Sequence, residues 1–158
     1  MKFAAAFASA ALLAAPAFAQ DEETMSLEEV AAAAMEAAQA AMPDASFESA
    51  SLDDDEGTDT YEIAGVTSDG TAIEVDVLED GTVEEIEEEV ALEDLPDAVT
   101  AAWEENMAGV TPSMIEKSTR DDGATVIYEF EGEQDGQEFD AEVNEDGSNW
   151  TMTEDMAG

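Results

Sequence analysis

The chain of 158 residues contains no cysteine and no histidine. Without cysteine it can form no disulfide bond, attach no haem covalently and use no thiolate chemistry. Without histidine it lacks the usual general base and the commonest ligand of transition metals. A Ser-His-Asp triad, a Cys-His pair and a histidine-containing zinc site are therefore excluded, and stability has to come from apolar burial.

Basic residues are also scarce. Three lysine and arginine residues stand against 43 aspartate and glutamate residues, which gives a formal net charge of −40 at pH 7. This charge repels nucleic-acid phosphates and anionic lipid head groups, because both are bound through basic side chains. We therefore expect no nucleic-acid partner. Divalent cations, the salt of a saline habitat or a basic surface on another protein fit the charge better.

The N-terminal residues 1–19 have the pattern of a secretory signal peptide. Lys2 precedes an apolar run that begins at Phe3, and an Ala-Phe-Ala sequence at residues 17–19 supplies the small residues that signal peptidase reads. We predict cleavage before Gln20 and an exported protein, periplasmic or secreted. No later stretch is apolar over the roughly 20 residues that a helix needs to span a bilayer, so no membrane span is expected after cleavage.

Alternating residues argue for folding, although a high net charge with few aromatic residues is typical of disorder. Residues 71–77 alternate apolar with acidic side chains, and residues 137–143 do the same. A period of two predicts strands with one buried face and one hydrated, acidic face.

The second half of the sequence repeats motifs of the first. Tyr61-Glu62 corresponds to Tyr128-Glu129, and Asp80-Gly81 corresponds to Asp146-Gly147. Asp-Gly between alternating apolar residues is a strong hairpin signal. We therefore predict an α+β fold of two tandem units, each with one helix followed by a four-stranded antiparallel sheet. The predicted parts are a signal peptide (1–19), a short N-terminal linker (20–26), unit 1 (27–91), unit 2 (92–154) and a C-terminal tail (155–158).

The two predicted helices have different start signals. The first is predicted from Leu27 to Met42, with Ser26 as N-cap and Glu29 as its capping-box partner. The second begins at Leu95-Pro96, since proline at the first helical position needs no amide partner. The spacing of apolar residues within 83–90 fits either a last strand of unit 1 or a backward extension of the second helix.

The order and spacing of these motifs resemble the PepSY domain family, in particular its tandem members with a shape like that of the β-lactamase inhibitor protein. The resemblance covers about residues 27–154 and is carried best by unit 2, because unit 1 lacks the Leu-Pro opening. The motif residues are Tyr61, Glu62, Asp80, Gly81, Leu95, Pro96, Val99, Tyr128, Glu129, Asp146 and Gly147.

The resemblance implies an exported, non-catalytic module of the kind found in propeptides of thermolysin-type peptidases and in small secreted proteins. Its implied role is protein binding or peptidase inhibition. The shared motif residues are structural in this interpretation, so no inhibitory residue is carried over.

An acidic run in unit 1 offers oxygen ligands of the kind that Ca²⁺ prefers. Its spacing does not fit an EF-hand loop, and a solvated turn explains it more simply, so we expect no cofactor and keep Ca²⁺ as the alternative. The candidate ligands are Asp53, Asp54, Asp55, Glu56 and Asp59.

No residue pattern points to catalysis. Carboxylates are so abundant that no pair of them indicates a glycosidase site, and Lys117 and Ser118 point to opposite faces of a strand. We expect a protein that is not an enzyme and that binds another exported protein with a basic surface. The alternative is a cation-responsive protein, either Ca²⁺-binding or adapted to salt.

Overall fold

Nine antiparallel strands form one sheet, and two helices pack on one of its faces. The computed structural model describes residues 23–53 and 59–154. Within these ranges each strand is hydrogen-bonded to the next in sequence order. The elements are β1 (Glu23–Met25), α1 (Ala32–Ala41), β2 (Ser46–Asp53), β3 (Thr60–Val66), β4 (Ala72–Leu78), β5 (Val83–Glu89), α2 (Asp97–Asn106), β6 (Met114–Arg120), β7 (Thr125–Gln134), β8 (Gln137–Asn144) and β9 (Thr151–Glu154).

The strands follow the alternation of apolar and acidic residues. In β4, Ile73, Val75 and Val77 are buried, while the residues between them are partly exposed. Strand β3 pairs with β4 along its whole length, from Thr60 opposite Leu78 to Val66 opposite Ala72. One face of the sheet is therefore apolar, and the other is lined mainly by carboxylates.

Two apolar clusters lie between the sheet and the helices. Around α1 the helix contributes mainly small residues, among them Ala34 and Ala38, which are fully buried. Around α2 the cluster is aromatic: Trp103 stacks on Phe130 with 4.5 Å between ring centroids. The small residues let α1 lie close to the sheet, whereas the large rings fill a wider gap under α2. Neither helix that the structure describes has the length and apolar content needed to cross a bilayer.

Two Asp-Gly turns attach the sheet to the first turns of the helices. Gly147, between β8 and β9, has a φ of +79°, and a Cβ atom placed there would lie 2.7 Å from the carbonyl oxygen of Ala98 in α2. Gly81, between β4 and β5, lies in the same way against Ala33 of α1, at 3.0 Å. These two turns require glycine both for their backbone conformation and for the close approach of the helix.

The predicted fold class is wrong. We expected an α+β protein of two tandem units, each with one helix followed by a four-stranded antiparallel sheet, but β5 pairs with β6 from Glu85 opposite Arg120 to Glu89 opposite Glu116. This pairing satisfies two strand edges that separate sheets would leave exposed. Strand β1 also adds to the outer edge of β2. The described residues thus form a mainly β structure with one continuous sheet and two short helices.

Both predicted helix starts need correction. Helix α1 begins at Ala32, because the amide and hydroxyl of Ser26 both donate to Glu29 Oε2 within a turn that precedes the helix. Pro96 is the N-cap of α2 and lies just outside its first turn. Residues 83–89 form β5, so they do not extend α2. The predicted signal peptide, the acidic residues Asp54, Asp55 and Glu56 of the predicted Ca²⁺ ligands, and the C-terminal tail lie outside the described residues.

The packing of Gly147 gives a first prediction. Gly147→Ala should lower the melting temperature clearly more than Gly136→Ala, measured by thermal unfolding. Both glycines have positive φ, which costs roughly 1–2 kcal/mol for alanine, but nothing lies within 4 Å of a Cβ atom at Gly136. Equal destabilisation by the two substitutions would show that the turn does not press on α2.

Candidate functional site

The face of the sheet opposite the helices, here called the open face, is lined by carboxylates. Their positions follow from register: Glu62 lies opposite Asp76, and Asp76 lies opposite Glu85. Directly opposed residues in antiparallel strands point to the same side. Arg120 is the one basic residue on this face among the described residues. The carboxylates of the open face include Glu62, Glu74, Asp76, Glu85, Glu87, Glu89, Glu116, Glu129, Glu131, Glu138, Asp140 and Glu142.

The guanidinium group of Arg120 links three adjacent strands, β5, β6 and β7. Arg120 on β6 donates from Nε to Glu85 Oε1 on β5 at 2.6 Å and from Nη2 to Glu129 Oε1 on β7 at 2.7 Å. The side chain of Arg120 is 34% exposed, and its two partners are 16% and 17% exposed. The hydroxyl of Ser118, a fully buried residue, also donates to Glu85. Arg120 thereby offsets two of the partly buried negative charges.

Glu87 completes a close group of carboxylates. One oxygen from each of Glu85, Glu87 and Glu129 lies within 4.8 Å of the others. Three carboxylates at such distances are able to hold a cation. Arg120 already donates to two of them, so we describe this group as an ion-pair network and do not assign it to a metal.

Burial and mutual repulsion raise the pKa of several carboxyl groups of the open face. Burial, together with repulsion from Glu74 and Glu85, raises the pKa of Asp76 to about 8. Burial, with repulsion from neighbouring glutamates, raises the pKa of Glu87 to about 9. For Glu116 and Glu129 the same causes raise the pKa to about 7. The charged form of a carboxyl group is disfavoured both by burial and by nearby charges of the same sign.

Asp76 also has an unsatisfied polar atom. Its Oδ1 is buried and has no hydrogen-bond partner among the residues that the structure describes. A carboxylate anion in that position would lack a donor, which is costly away from water. The protonated form of Asp76 therefore fits the site better than the anion.

The predicted Ca²⁺ ligands are only partly described. Asp53 ends β2 and Asp59 precedes β3. Asp54, Asp55 and Glu56 lie outside the described residues, so the acidic turn stays a prediction.

The motif residues of the resemblance occupy three kinds of position. Leu95, just before α2, Val99, within α2, and Tyr128, on β7, are all buried in the apolar cluster around α2. Glu62 and Glu129 lie on the open face, where Glu62 Oε2 accepts a hydrogen bond of 2.8 Å from the Ser51 hydroxyl. Tyr61 packs partly buried on the apolar face, and Pro96 caps α2.

The two Asp-Gly pairs lie in tight turns. Asp80 accepts a hydrogen bond from the amide of Thr82 at 2.9 Å, and Asp146 accepts one from the amide of Ser148 at 3.0 Å. These hydrogen bonds stabilise the two turns, as short-range side-chain bonds to the backbone commonly do. The same turns place Gly81 and Gly147 against the helices.

Sequence reasoning missed the network around Arg120. The alternation predicted an acidic face, but it did not show which carboxylates meet across strands. The one usable signal was that Arg120 is the only arginine in the chain and lies in a strand-like segment.

The raised pKa values predict how stability depends on pH. A carboxyl group whose pKa is higher in the folded state binds more protons when folded, so its contribution is full near pH 4 and is lost as pH rises to about 9. We expect the melting temperature to increase when pH is lowered from about 9 to about 5.

The increase of the melting temperature with falling pH has a lower limit. Hydrogen bonds from Ser148 lower the pKa of Asp146, so the contribution of that turn disappears below about pH 4. Thermal unfolding across the pH range measures both effects. A melting temperature that increases steadily toward pH 9 would contradict the prediction.

The ion-pair network gives another prediction. Arg120→Met should lower the free energy of unfolding at pH 8 by about 1–2 kcal/mol, discounted for the exposure of the guanidinium, because Glu85 and Glu129 lose their cation. Lys117→Met is the matched control: Lys117 pairs with Glu88 alone, at 3.1 Å and with both side chains about one-third exposed.

The control should cost about 0.5 kcal/mol or less. The difference between the two variants should shrink at pH 5, where protonation relieves the repulsion between the carboxyl groups. Urea unfolding at both pH values measures it, and equal losses for the two variants would show that Arg120 has no special role.

Solved structures share this fold at low sequence identity. A BLIP-like protein from Bacteroides fragilis has a TM-score of 0.63 and 18% identity, over 80% of this chain and 86% of that chain. A DUF2874 family protein from Bacteroides ovatus has a TM-score of 0.63 and 15% identity, over 80% and 89%. A protein of Bacteroides eggerthii that is proposed to be periplasmic has a TM-score of 0.65 and 12% identity, over 78% and 87%.

At these identities the likeness shows a shared fold. No curated protein matches the chain in sequence. A family model described as the peptidase propeptide and YPEB domain, PepSY, matches residues 26–87, which include the motif residues of the first half. The resemblance to the PepSY family is thereby confirmed for residues 26–87, the part of the chain that the family model matches.

Proposed function

We propose that this protein is an exported, non-catalytic module that binds a basic surface of another exported protein through its open face. The observation that carries this proposal is the composition of that face: its carboxylates extend over six adjacent strands, from β3 to β8, and Arg120 is the one basic residue beside them in the described part of the chain. The match to a peptidase propeptide family and the fold shared with a BLIP-like protein support a protein partner.

The charge of the open face selects the partner. Carboxylates attract lysine and arginine side chains, speed their association and repel acidic proteins. Because the family description names peptidase propeptides, a peptidase with a basic surface is the first candidate, and inhibition of that peptidase is the corresponding role.

Local geometry supports a non-catalytic role. Ser118 is fully buried and donates its hydroxyl hydrogen to Glu85, so it is not placed to attack a substrate. Lys117 pairs with Glu88 and lies opposite Tyr128, on the helix-covered side of the sheet. The two residues of the only Ser-Lys candidate are thus separated by the sheet.

Export is the remaining part of the proposal. The predicted signal peptide supports it, as does the proposed periplasmic location of the Bacteroides eggerthii protein that shares the fold.

Charge reversal on the open face tests the proposed function. The double variant Glu138→Lys/Glu142→Lys changes two exposed residues of β8, and Glu104→Lys/Glu105→Lys changes two exposed residues of α2. Both variants alter the net charge equally, so only the position of the charges differs. Each protein, lacking residues 1–19, is immobilised and exposed to exported proteins of the source cell.

We expect a defined set of basic proteins to be retained by the unchanged protein and by the α2 variant at about 50 mM salt, and to be reduced at least tenfold on the β8 variant. Salt near 500 mM should release them, since it screens exposed charges. Equal retention of the same proteins by both variants would reject the open face as the binding surface.

A further inference from the structure

The centre of the open face contains more carboxyl groups than its one cation can neutralise. Within the register of β4 to β7, Asp76 lies opposite Glu85, and Glu116 lies opposite Glu129. Glu85, Glu87 and Glu129 bring oxygens within 4.8 Å of one another. Carboxyl groups this close do not all ionise unless a cation lies among them; without one, some of them keep a proton.

Arg120 supplies a single positive charge, and its ion pairs among the described residues are with Glu85 and Glu129. Its Nε and Nη2 atoms are used by Glu85 and Glu129. Asp76 keeps a buried oxygen without a partner among the described residues. Glu87 lies opposite the uncharged Ser118 and beside Glu74 of β4. In the isolated protein, Asp76 and Glu87 are therefore the groups that must hold protons.

The charged groups on the neighbouring strands favour the protonated form of Asp76 and Glu87. Nearly every charged group that faces Asp76 and Glu87 is an anion, so protonation is the available way to reduce repulsion. These groups are Glu62 on β3, Glu74 on β4, Glu84 and Glu85 on β5, Glu116 and Arg120 on β6 and Glu129 on β7.

We infer that Asp76 and Glu87 release their protons when ammonium or guanidinium groups of a basic partner dock on the open face, so that binding is coupled to proton release. This inference rests on the proposed function and adds its regulation. An external cation supplies the opposite charge that Arg120 cannot, and it stabilises the carboxylate form. By linkage, removing protons must in turn strengthen binding, so affinity increases with pH.

The sign of the effect follows from the protonation of the free protein. Burial raises the pKa of Asp76 to about 8 and that of Glu87 to about 9. Near pH 7 both groups are protonated before the partner binds and ionised afterwards. Release is therefore largest around neutral pH and fades above about pH 9, where the free protein has already lost these protons.

Calorimetry with a synthetic hexa-arginine peptide tests the coupling. Binding at pH 7.5 is measured in phosphate and in Tris, whose ionisation enthalpies differ, so the difference in heat gives the number of protons released. We expect between one and two protons per bound peptide, and an affinity at least tenfold higher at pH 8.5 than at pH 6.5.

Matched variants show whether the released protons come from Asp76 and Glu87. Asp76→Asn/Glu87→Gln replaces two protonated carboxyl groups by neutral amides of similar shape, and it should abolish proton release. Glu104→Gln/Glu105→Gln removes two exposed carboxylates on α2 and should leave proton release unchanged. Circular dichroism spectra check that both variants are folded.

Potentiometric titration of the free protein supplies a test that needs no partner. Between about pH 6 and pH 10 the unchanged protein should release about two more protons than Asp76→Asn/Glu87→Gln. Absence of this excess, or equal heats of peptide binding in the two buffers, overturns the inference and leaves the proposed function standing. Loss of the proposed function itself would instead appear as equal protein retention by the β8 and α2 lysine variants.

Discussion

The pairing of β5 with β6 is the interaction on which the rest of the structure depends. It joins two sets of strands into one sheet and fixes Glu85 opposite Arg120. Because side-chain direction alternates strictly along a strand, a shift of this register by one residue would turn Arg120 toward the apolar face and bury its charge. The same pairing gives the acidic residues on both sides of the seam a common surface. The architecture and the electrostatics of the open face therefore have one origin.

A sheet with so much negative charge on one face needs a strong opposing contribution on the other. Small residues of α1 and the aromatic cluster of α2 supply it: Trp103, Phe130 and Phe139 are nearly fully buried and contact one another. Apolar burial of this kind does not depend on pH, whereas the repulsion between carboxylates depends on both pH and salt. The protonated carboxyl groups of the open face remove part of that repulsion at its most crowded point. Stability and ionisation of this chain are thus coupled through the sheet.

Local sequence predicted the parts of the fold that depend on local geometry. Alternation around Val75 and Ala141 identified strands and their acidic face, and Asp-Gly identified two turns. The start of α1 was missed because Ser26 and Glu29 bond to each other in a turn ahead of the helix. Local sequence did not decide whether the two units share one sheet, because β5 and β6 are separated by α2 and nothing within either strand specifies its neighbour. For the same reason the sequence showed the carboxylates but not the group formed by Glu85, Glu87 and Glu129, because Glu129 is far from the other two along the chain.

The glycine contacts with the helices occur in both halves of the chain and have a structural explanation, whereas the Arg120 network occurs in one place. The contacts of Gly81 with Ala33 and of Gly147 with Ala98 correspond to each other, and each is explained by the attachment of a hairpin to a helix. Within residues 23–53 and 59–154 the network of Arg120 has no such counterpart, since it forms where β5, β6 and β7 meet. Folding alone would be served as well by uncharged polar side chains at these positions, because the open face lies outside the apolar core. Crowded carboxyl groups at the seam cost stability as pH rises, and a binding role explains why they are placed there.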